Sequence, residues 1–361
     1  MNHRFSELLA AETITAAGTK TIDIDLVDPI TRLSILVKLT NNGSTPTAHP
    51  ATAISKVEIV DGSDVLASLS AAQIQALSFY HTGVEPFQAL IYLNDVMAMM
   101  ELDLYFGRWM YDTMLAFDTK KFKNPQLKIT HSLALGGSAP DSMDLRVRAD
   151  VFDKKQISPI GFLQAKEIYS YSLASSGNEY IDLPTDNVIR KLMILSRAAS
   201  KAPYEQFNQL KLTEEQDKKV ILEGYTSDLH KVIAGQYPVW KDRIFGACSA
   251  AGVAHFITPC FDAYPSLNAE GTSAQIYTEA FVNGGTKTIH ADVATNFHGL
   301  YSGMMPHGAL AIPMGDQDDP DDWWDAPALS SARLKITAGS SVESSSTCQV
   351  VLQQFRKYEG G

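Results

Sequence analysis

Two collinear copies of one strand-rich pattern run through these 361 residues, and that duplication limits the possible folds more than any other feature. Gly18, Ile22 and Asp23 return as Gly177, Ile181 and Asp182. Asp28 and Arg32 return as Asp186 and Arg190, each pair leading into an apolar run, 33–39 and 192–195. Val57 and Ile59 match Leu210 and Leu212, and Val65-Leu66 matches Val220-Ile221. Leu102-x-Leu104-x-Phe106-Gly107 answers Leu310-x-Ile312-x-Met314-Gly315. Leu127-Lys128-Ile129-Thr130 is repeated letter for letter as Leu334-Lys335-Ile336-Thr337, and Phe152-x-Lys154 as Phe355-x-Lys357. So long a period means duplicated domains rather than the short repeats of a solenoid. Copy one is read as 10–157 and copy two as 158–361, joined near 154–161. The second copy carries a long insertion within 237–309, and residues 1–9 are read as a separate amino-terminal arm.

Alternation is the dominant period. Ile22, Ile24 and Leu26 point one way while Thr21, Asp23 and Asp25 point the other, the pattern of a strand with one buried face. Leu145, Val147, Ala149 and Val151 alternate in the same way with Asp144, Arg146, Arg148 and Asp150. Breakers separate the strands, among them Asn41-Asn42-Gly43, Gly136-Gly137 and Asn283-Gly284-Gly285. Asp61-Gly62 predicts a tight reversal between 54–60 and 65–69. Helices are few: Ser70 is the expected cap of one over 71–80, with Ile74 and Leu77 on its apolar face. Thr226 or Ser227 is the expected cap of its counterpart, which carries Leu229 and Val232. Each copy therefore holds about eight strands, and the fold class is all-β: two tandem eight-stranded sandwiches with short helices in the connecting loops. A parallel α/β fold is a poor candidate because its alternating helices are missing.

Hydrophobic residues at 45% and charged residues at 20% fit a folded globular chain. A formal net charge of -11 argues against direct or sequence-specific binding of nucleic acid, which needs basic surface. No apolar run reaches the length of a membrane-spanning helix. Residues 1–10 show no signal-peptide core, and the expectation is a cytoplasmic folding site. Cys248, Cys260 and Cys348 are too few and too scattered for a disulfide framework and are read as buried thiols.

Candidate chemistry is sparse. Cys248, His255, Cys260, His290, His298 and His307 fall in or beside the insertion, but none has the short paired spacing of a structural zinc site. Asp316-Gln317-Asp318-Asp319-Pro320-Asp321-Asp322, with Asp325, offers carboxylates to calcium, yet lacks the glycine and distal glutamate of a helix–loop–helix calcium loop. A solvated acidic loop is the preferred reading. Trp323-Trp324 beside it is either an anchor for a domain or subunit contact or local core. Lys120-Lys121-Phe122-Lys123 resembles a nucleic-acid patch in composition, but an acidic molecule favours a solvated loop. No nucleophile elbow, phosphate loop or dinucleotide fingerprint is present. The reading is therefore of no enzyme, with no catalytic, cofactor-binding or metal residues and no cofactor.

Three blocks carry a resemblance to a known family: Ile22-Asp23-Ile24-Asp25-Leu26 leading into Ile30-Thr31-Arg32-Leu33; residues 54–66 followed by the helix through Leu77; and Leu334-Lys335-Ile336-Thr337 with Val350-Val351-Leu352 and Phe355. Together they resemble the double jelly-roll major capsid proteins of tailless icosahedral viruses, the lineage of adenovirus and membrane-containing bacteriophages. The resemblance implies two tandem jelly rolls and a structural protein. It implies homotrimers of six-sided outline that tile an icosahedral virus shell. Implied partners are neighbouring capsomers, minor or penton capsid proteins and, in membrane-containing members, an internal lipid membrane. The implied location is the virion, after synthesis in the host cytoplasm. It further implies that the arm, 1–9, lies on the inner side and that the insertion forms an outward tower tolerant of a tag near 270–273. The rival reading is a β-sandwich that binds carbohydrate or a receptor, since jelly rolls also serve lectins.

Overall fold

A computed structural model describes residues 2–271, 274–278, 283–344 and 346–358. The alternating segments are strands. In the first copy they are β1 (His3–Ile14), β2 (Gly18–Asp23), β3 (Ile30–Thr40), β4 (Ile54–Asp61) and β5 (Asp64–Leu69). After helix α1 (Ala71–Thr82) come β6 (Gln88–Tyr92), β7 (Met97–Tyr105), β8 (Pro125–His131) and β9 (Ser142–Phe152). The second copy opens with β10 (Gly161–Ser172), β11 (Asn178–Asp182) and β12 (Val188–Leu195). A single helical turn, α2 (Pro203–Gln206), precedes β13 (Phe207–Glu214) and β14 (Lys219–Tyr225), and α3 (Thr226–Ala234) follows. The insertion holds β15 (Trp240–Cys248), β16 (Val253–Phe256), β17 (Phe261–Ala269), β18 (Ile276–Thr278), β19 (Thr286–Ala291) and β20 (Thr295–Met304). Then β21 (Ala309–Pro313), β22 (Ala332–Ala338) and β23 (Thr347–Lys357) complete the copy.

Each copy is a jelly roll. In the first, the order β1-β9-β3-β7 faces β2-β8-β4-β5; in the second, β10-β23-β12-β21 faces β11-β22-β13-β14. The repeated sequence blocks occupy equivalent places. Leu127 lies between Ile22 and Ile59 in register, and Leu334 lies between Ile181 and Leu212. Leu104 opposes Leu33 as Ile312 opposes Leu192. Duplicated side chains therefore fill duplicated core sites. Each leucine or isoleucine so buried contributes about 1.5–3 kcal/mol.

The two jelly rolls share sheets rather than standing apart. Among the described residues, β5 pairs in parallel with β10, which merges one sheet of each into a single eight-stranded sheet. Likewise β6 pairs in parallel with β15, which extends the other sheet of the first jelly roll through β15, β20 and β17 of the insertion. A small sheet, β16-β19-β18, covers that extension. Between the two lie Tyr92, Ile244, Ile257, Ile289, Phe297 and Tyr301, a core that the insertion shares with β6 of the first copy. Of the strand-like piece read at 274–282, Ile276–Thr278 is strand, and 279–282 lie outside the described residues, as do 272–273 of the tag position.

One boundary is corrected. Residues 3–9 are no separate arm: they form the first half of β1, His3 opposite Phe152 and Phe5 opposite Asp150. Register shifts between Glu7 and Leu9 and between Leu9 and Glu12 break the alternation that would have marked the strand. The turn at Asp61-Gly62 is present, Val60 opposing Val65 and Asp61 opposing Asp64, with Gly62 at φ 62. Helix α1 starts with a capping box: the Ser70 hydroxyl accepts from Gln73 N at 3.4 Å and Gln73 Oε1 accepts from Ser70 N at 2.8 Å. Ser70→Ala should cost about 1 kcal/mol in denaturant unfolding; no measurable loss would show the cap to be redundant. Neither Thr226 nor Ser227 caps α3. Tyr225 holds that position, and the Thr226 hydroxyl donates to Phe207 O at 2.6 Å, tying the helix to β13 instead.

Candidate functional site: an inter-domain seam and the surfaces around it

Strands β12, β21 and β23 are buried on both faces, by their own sandwich on one side and by the first jelly roll on the other. Helix α1 is wedged into this seam. Sequence periodicity gives it one apolar face; the structure buries Gln73, Gln75 and Ser78 as well as Ile74, Leu77 and Tyr80. Gln73 and Tyr80 find hydrogen-bond partners in place. Gln73 donates to Glu167, which also accepts from Gln349 Nε2 at 2.9 Å. Tyr80 OH donates to Ala309 O at 2.7 Å.

Arg190 and Lys191 enter the same wall. The Arg190 guanidinium donates to Gln353 Oε1 at 2.8 Å and Gln317 O at 3.0 Å, meets His81 Nδ1 at 3.0 Å, and lies 5.6 Å from the Trp323 ring centre. Burial pulls Arg190 down to about 10. Burial, reinforced by Arg190, holds Lys191 well below the usual lysine range, and its amine donates to Tyr80 O. These cations position backbone and helix rather than face solvent. Sequence reasoning paired Arg190 with Arg32 as a repeat marker and missed this role, because every partner is remote in the chain.

A second buried polar cluster fastens the insertion to the first jelly roll. Asp242 on β15 accepts from Trp240 Nε1 at 2.7 Å, Gln88 Nε2 at 2.8 Å and Thr258 N at 2.5 Å. Thr258 Oγ1 also meets Gln88 Nε2 and His49 Nε2, each at 2.8 Å; Gln75 bridges Gln88 and His307, again at 2.8 Å each. Burial pushes Asp242 up to about 6 against the pull of its donors. Burial also keeps His49 and His307 well below the ordinary histidine value, so both are neutral near pH 7.

The residues singled out from sequence are dispersed. Cys248, Cys260 and Cys348 are buried free thiols. His255 is buried between Tyr92 and Phe297, and burial lowers it to about 4. His290 stacks on Tyr277, His298 stacks on Phe245, and His307 belongs to the buried cluster. Among the described residues no three His, Cys, Asp or Glu side chains converge to hold a metal ion. In the acidic loop, Asp316, Asp319 and Asp322 accept the amides of Asp318, Asp321 and Asp316 at 3.0, 3.0 and 2.6 Å.

The tryptophan pair divides its work. Trp323 is buried with Leu115, Leu163 and Phe355 where the jelly rolls meet, and Arg108 of the first jelly roll donates to Asp318 O at 2.8 Å beside it. Trp324 turns into the second sandwich and donates to Glu214 Oε1 at 2.5 Å. At 120–123 the lysines are exposed, while Phe122 closes a cluster with Phe117, Phe162 and Tyr358.

No family model matches the sequence, and no curated protein matches it. Solved structures do match, over nearly the whole chain. The STIV MCP (Sulfolobus turreted icosahedral virus) is 11% identical, with a TM-score of 0.63 over 99% of this chain and 98% of that one. The major capsid protein P2 of bacteriophage PM2 is 10% identical, with a TM-score of 0.55 over 99% and 100%. A chain of the PBCV-1 virus capsid is 11% identical, with a TM-score of 0.57 over 98% and 94%. Two jelly rolls in tandem, merged through shared sheets and matched along their full length, give this chain the double jelly-roll fold of those viral capsid proteins.

Proposed function

We propose that this chain is the major capsid protein of an icosahedral virus, a structural subunit without catalytic activity. The observation that carries the reading is the full-length match. Both jelly rolls, their mutual placement and nearly all of each compared capsid chain are included, so the likeness extends beyond one common sandwich. Three chains form a trimer of six-sided outline, because two similar domains in each of three chains present six similar edges. Trimers contact neighbouring capsomers and the minor or penton proteins of the shell. The units are the first jelly roll, 10–157 together with the strand that begins at His3, and the second, 158–361. The start of β1, the junction at 154–161 and the end of β23 lie at one end of the strands, and the insertion within 237–309 leaves from the other. In this reading the insertion projects outward and the termini face inward, toward any internal membrane. The subunit is synthesised in the host cytoplasm and resides in the virion.

Negative-stain microscopy of the purified protein tests the reading. Six-sided particles with threefold averages are expected. Monomers that bind a glycan array would replace the shell reading with that of a carbohydrate-binding protein.

A further inference from the structure

Within the chain, β5 is covered by β10. Lys166 opposes Ser68, and the Leu163 amide donates to Phe106 O at 2.8 Å. Leu163 and Ala165 line, together with Ala67, Leu77, Leu104 and Phe106, a cavity of only about 20 Å³. The second jelly roll repeats this receiving surface, but among the described residues nothing covers it: its counterpart strand, β14, is the last of its sheet.

Register identifies the equivalent positions. Ile59 opposes Ala67 as Leu212 opposes Leu222, so Glu223 stands at the place of Ser68. Helices α1 and α3 then begin at the same spacing, which brings Val232 to the place of Leu77. Leu77 is 6% exposed and Val232 is 70% exposed. Beside β14 a crevice of about 270 Å³ lies open, lined by Leu222, Ile312, Met314 and Trp324 among others. Ala67, Leu104 and Phe106 are the first-copy counterparts of the first three.

A strand with the complementary vacancy exists on the same chain. Phe152 opposes His3 as Phe355 opposes Leu163, so β1 is the counterpart of β10, with Phe5 at the place of Ala165 and Ser6 at the place of Lys166. β1 ends its sheet, and Phe5 is 71% exposed. Phe5 and Val232 are the two most exposed large apolar side chains among the described residues. Each sits where its counterpart is buried inside the chain.

We propose that β1 of a second copy of this chain docks beside β14, with Phe5 entering the crevice and Ser6 opposite Glu223. The contact between chains then repeats the contact between jelly rolls within a chain. The sizes agree: within the chain a small Ala165 meets a nearly filled site, and between chains an open crevice meets a phenylalanine. Both partners are edge strands, which natural proteins rarely leave unprotected. A head-to-tail contact of this kind closes into a ring when its rotation permits. The inference thus rests on the trimer reading above, to which it adds the contacting residues.

The test is a full-length Ser6→Cys/Glu223→Cys variant under mild oxidation. Paired strands lie about 4.8 Å apart, a separation that a disulfide spans. Covalent trimers on a non-reducing gel, absent from either single variant, are expected. Phe5→Asp and Val232→Asp, both at exposed sites and so compatible with folding, should each raise the concentration for half-assembly about tenfold or more. Trimers that neither cross-link nor weaken would overturn this interface and leave the trimer reading standing. A wild-type protein that stays monomeric at micromolar concentration would remove both.

Discussion

Lowering the pH from 7 toward 5 should destabilise the isolated chain steeply. His49 and His307 are fully buried and His81 is half-buried; all three are held well below the ordinary histidine value, first by desolvation and then by nearby cationic or imidazole groups. A base with a depressed folded-state pKa gives its full stability above the unfolded value of about 6.5 and loses it as pH falls. Each such histidine costs about 1.4 kcal/mol per pH unit once the unfolded chain is protonated, so the three together cost about 4 kcal/mol per unit near pH 5. His230 and His255, lowered to about 4, act in the same direction. Asp103 and Asp242, raised to about 6, oppose them: the folded protein keeps their protons and gains stability as pH falls through that value toward 3.8. Histidines outnumber these carboxyls, so the net direction is loss. Denaturant midpoints at pH 7, 6 and 5 measure it, and a flat profile would mean that the histidines are solvated in the folded protein.

Asp242→Ala should be among the most damaging single substitutions outside the apolar core. It strips the acceptor from Trp240 Nε1, Gln88 Nε2 and Thr258 N, all buried. Each orphaned donor costs about 1–3 kcal/mol; removing a charge that burial disfavours offsets part, leaving a net loss of about 3 kcal/mol. Asp242→Asn keeps one acceptor oxygen and should lose about half as much. The damage should be local first, because this cluster joins the insertion to α1 and β6, so protease cleavage within 240–304 should precede global unfolding. Equilibrium unfolding and limited proteolysis at pH 7 read both effects. A loss below about 1 kcal/mol would show that water satisfies these donors.

Sandwich class, duplication and the equivalence of particular core residues were all legible in the order of residues along the chain. Leu127 and Leu334 match in sequence because a strand with one buried face writes its burial into every second residue, and equivalent core sites demand similar volumes. The Ser70 cap and the Asp61-Gly62 turn were legible for the same reason: both are chemistry between residues a few positions apart. The rest depends on contacts between distant parts of the chain. The first strand carries no clean local signal because two irregularities in β1 shift its alternation, and its partner, β9, lies far along the chain. Arg190 and Lys191 look like surface cations in an apolar run, and only the first jelly roll packed over β12 makes them buried. Docking of the insertion depends on His49, Gln75, Gln88, Asp242, Thr258 and His307 meeting in one place, and no local pattern marks residues whose partners come from separate loops. Periodicity records which face of a strand is buried, but not what buries it; that is set by how the two sandwiches share their sheets.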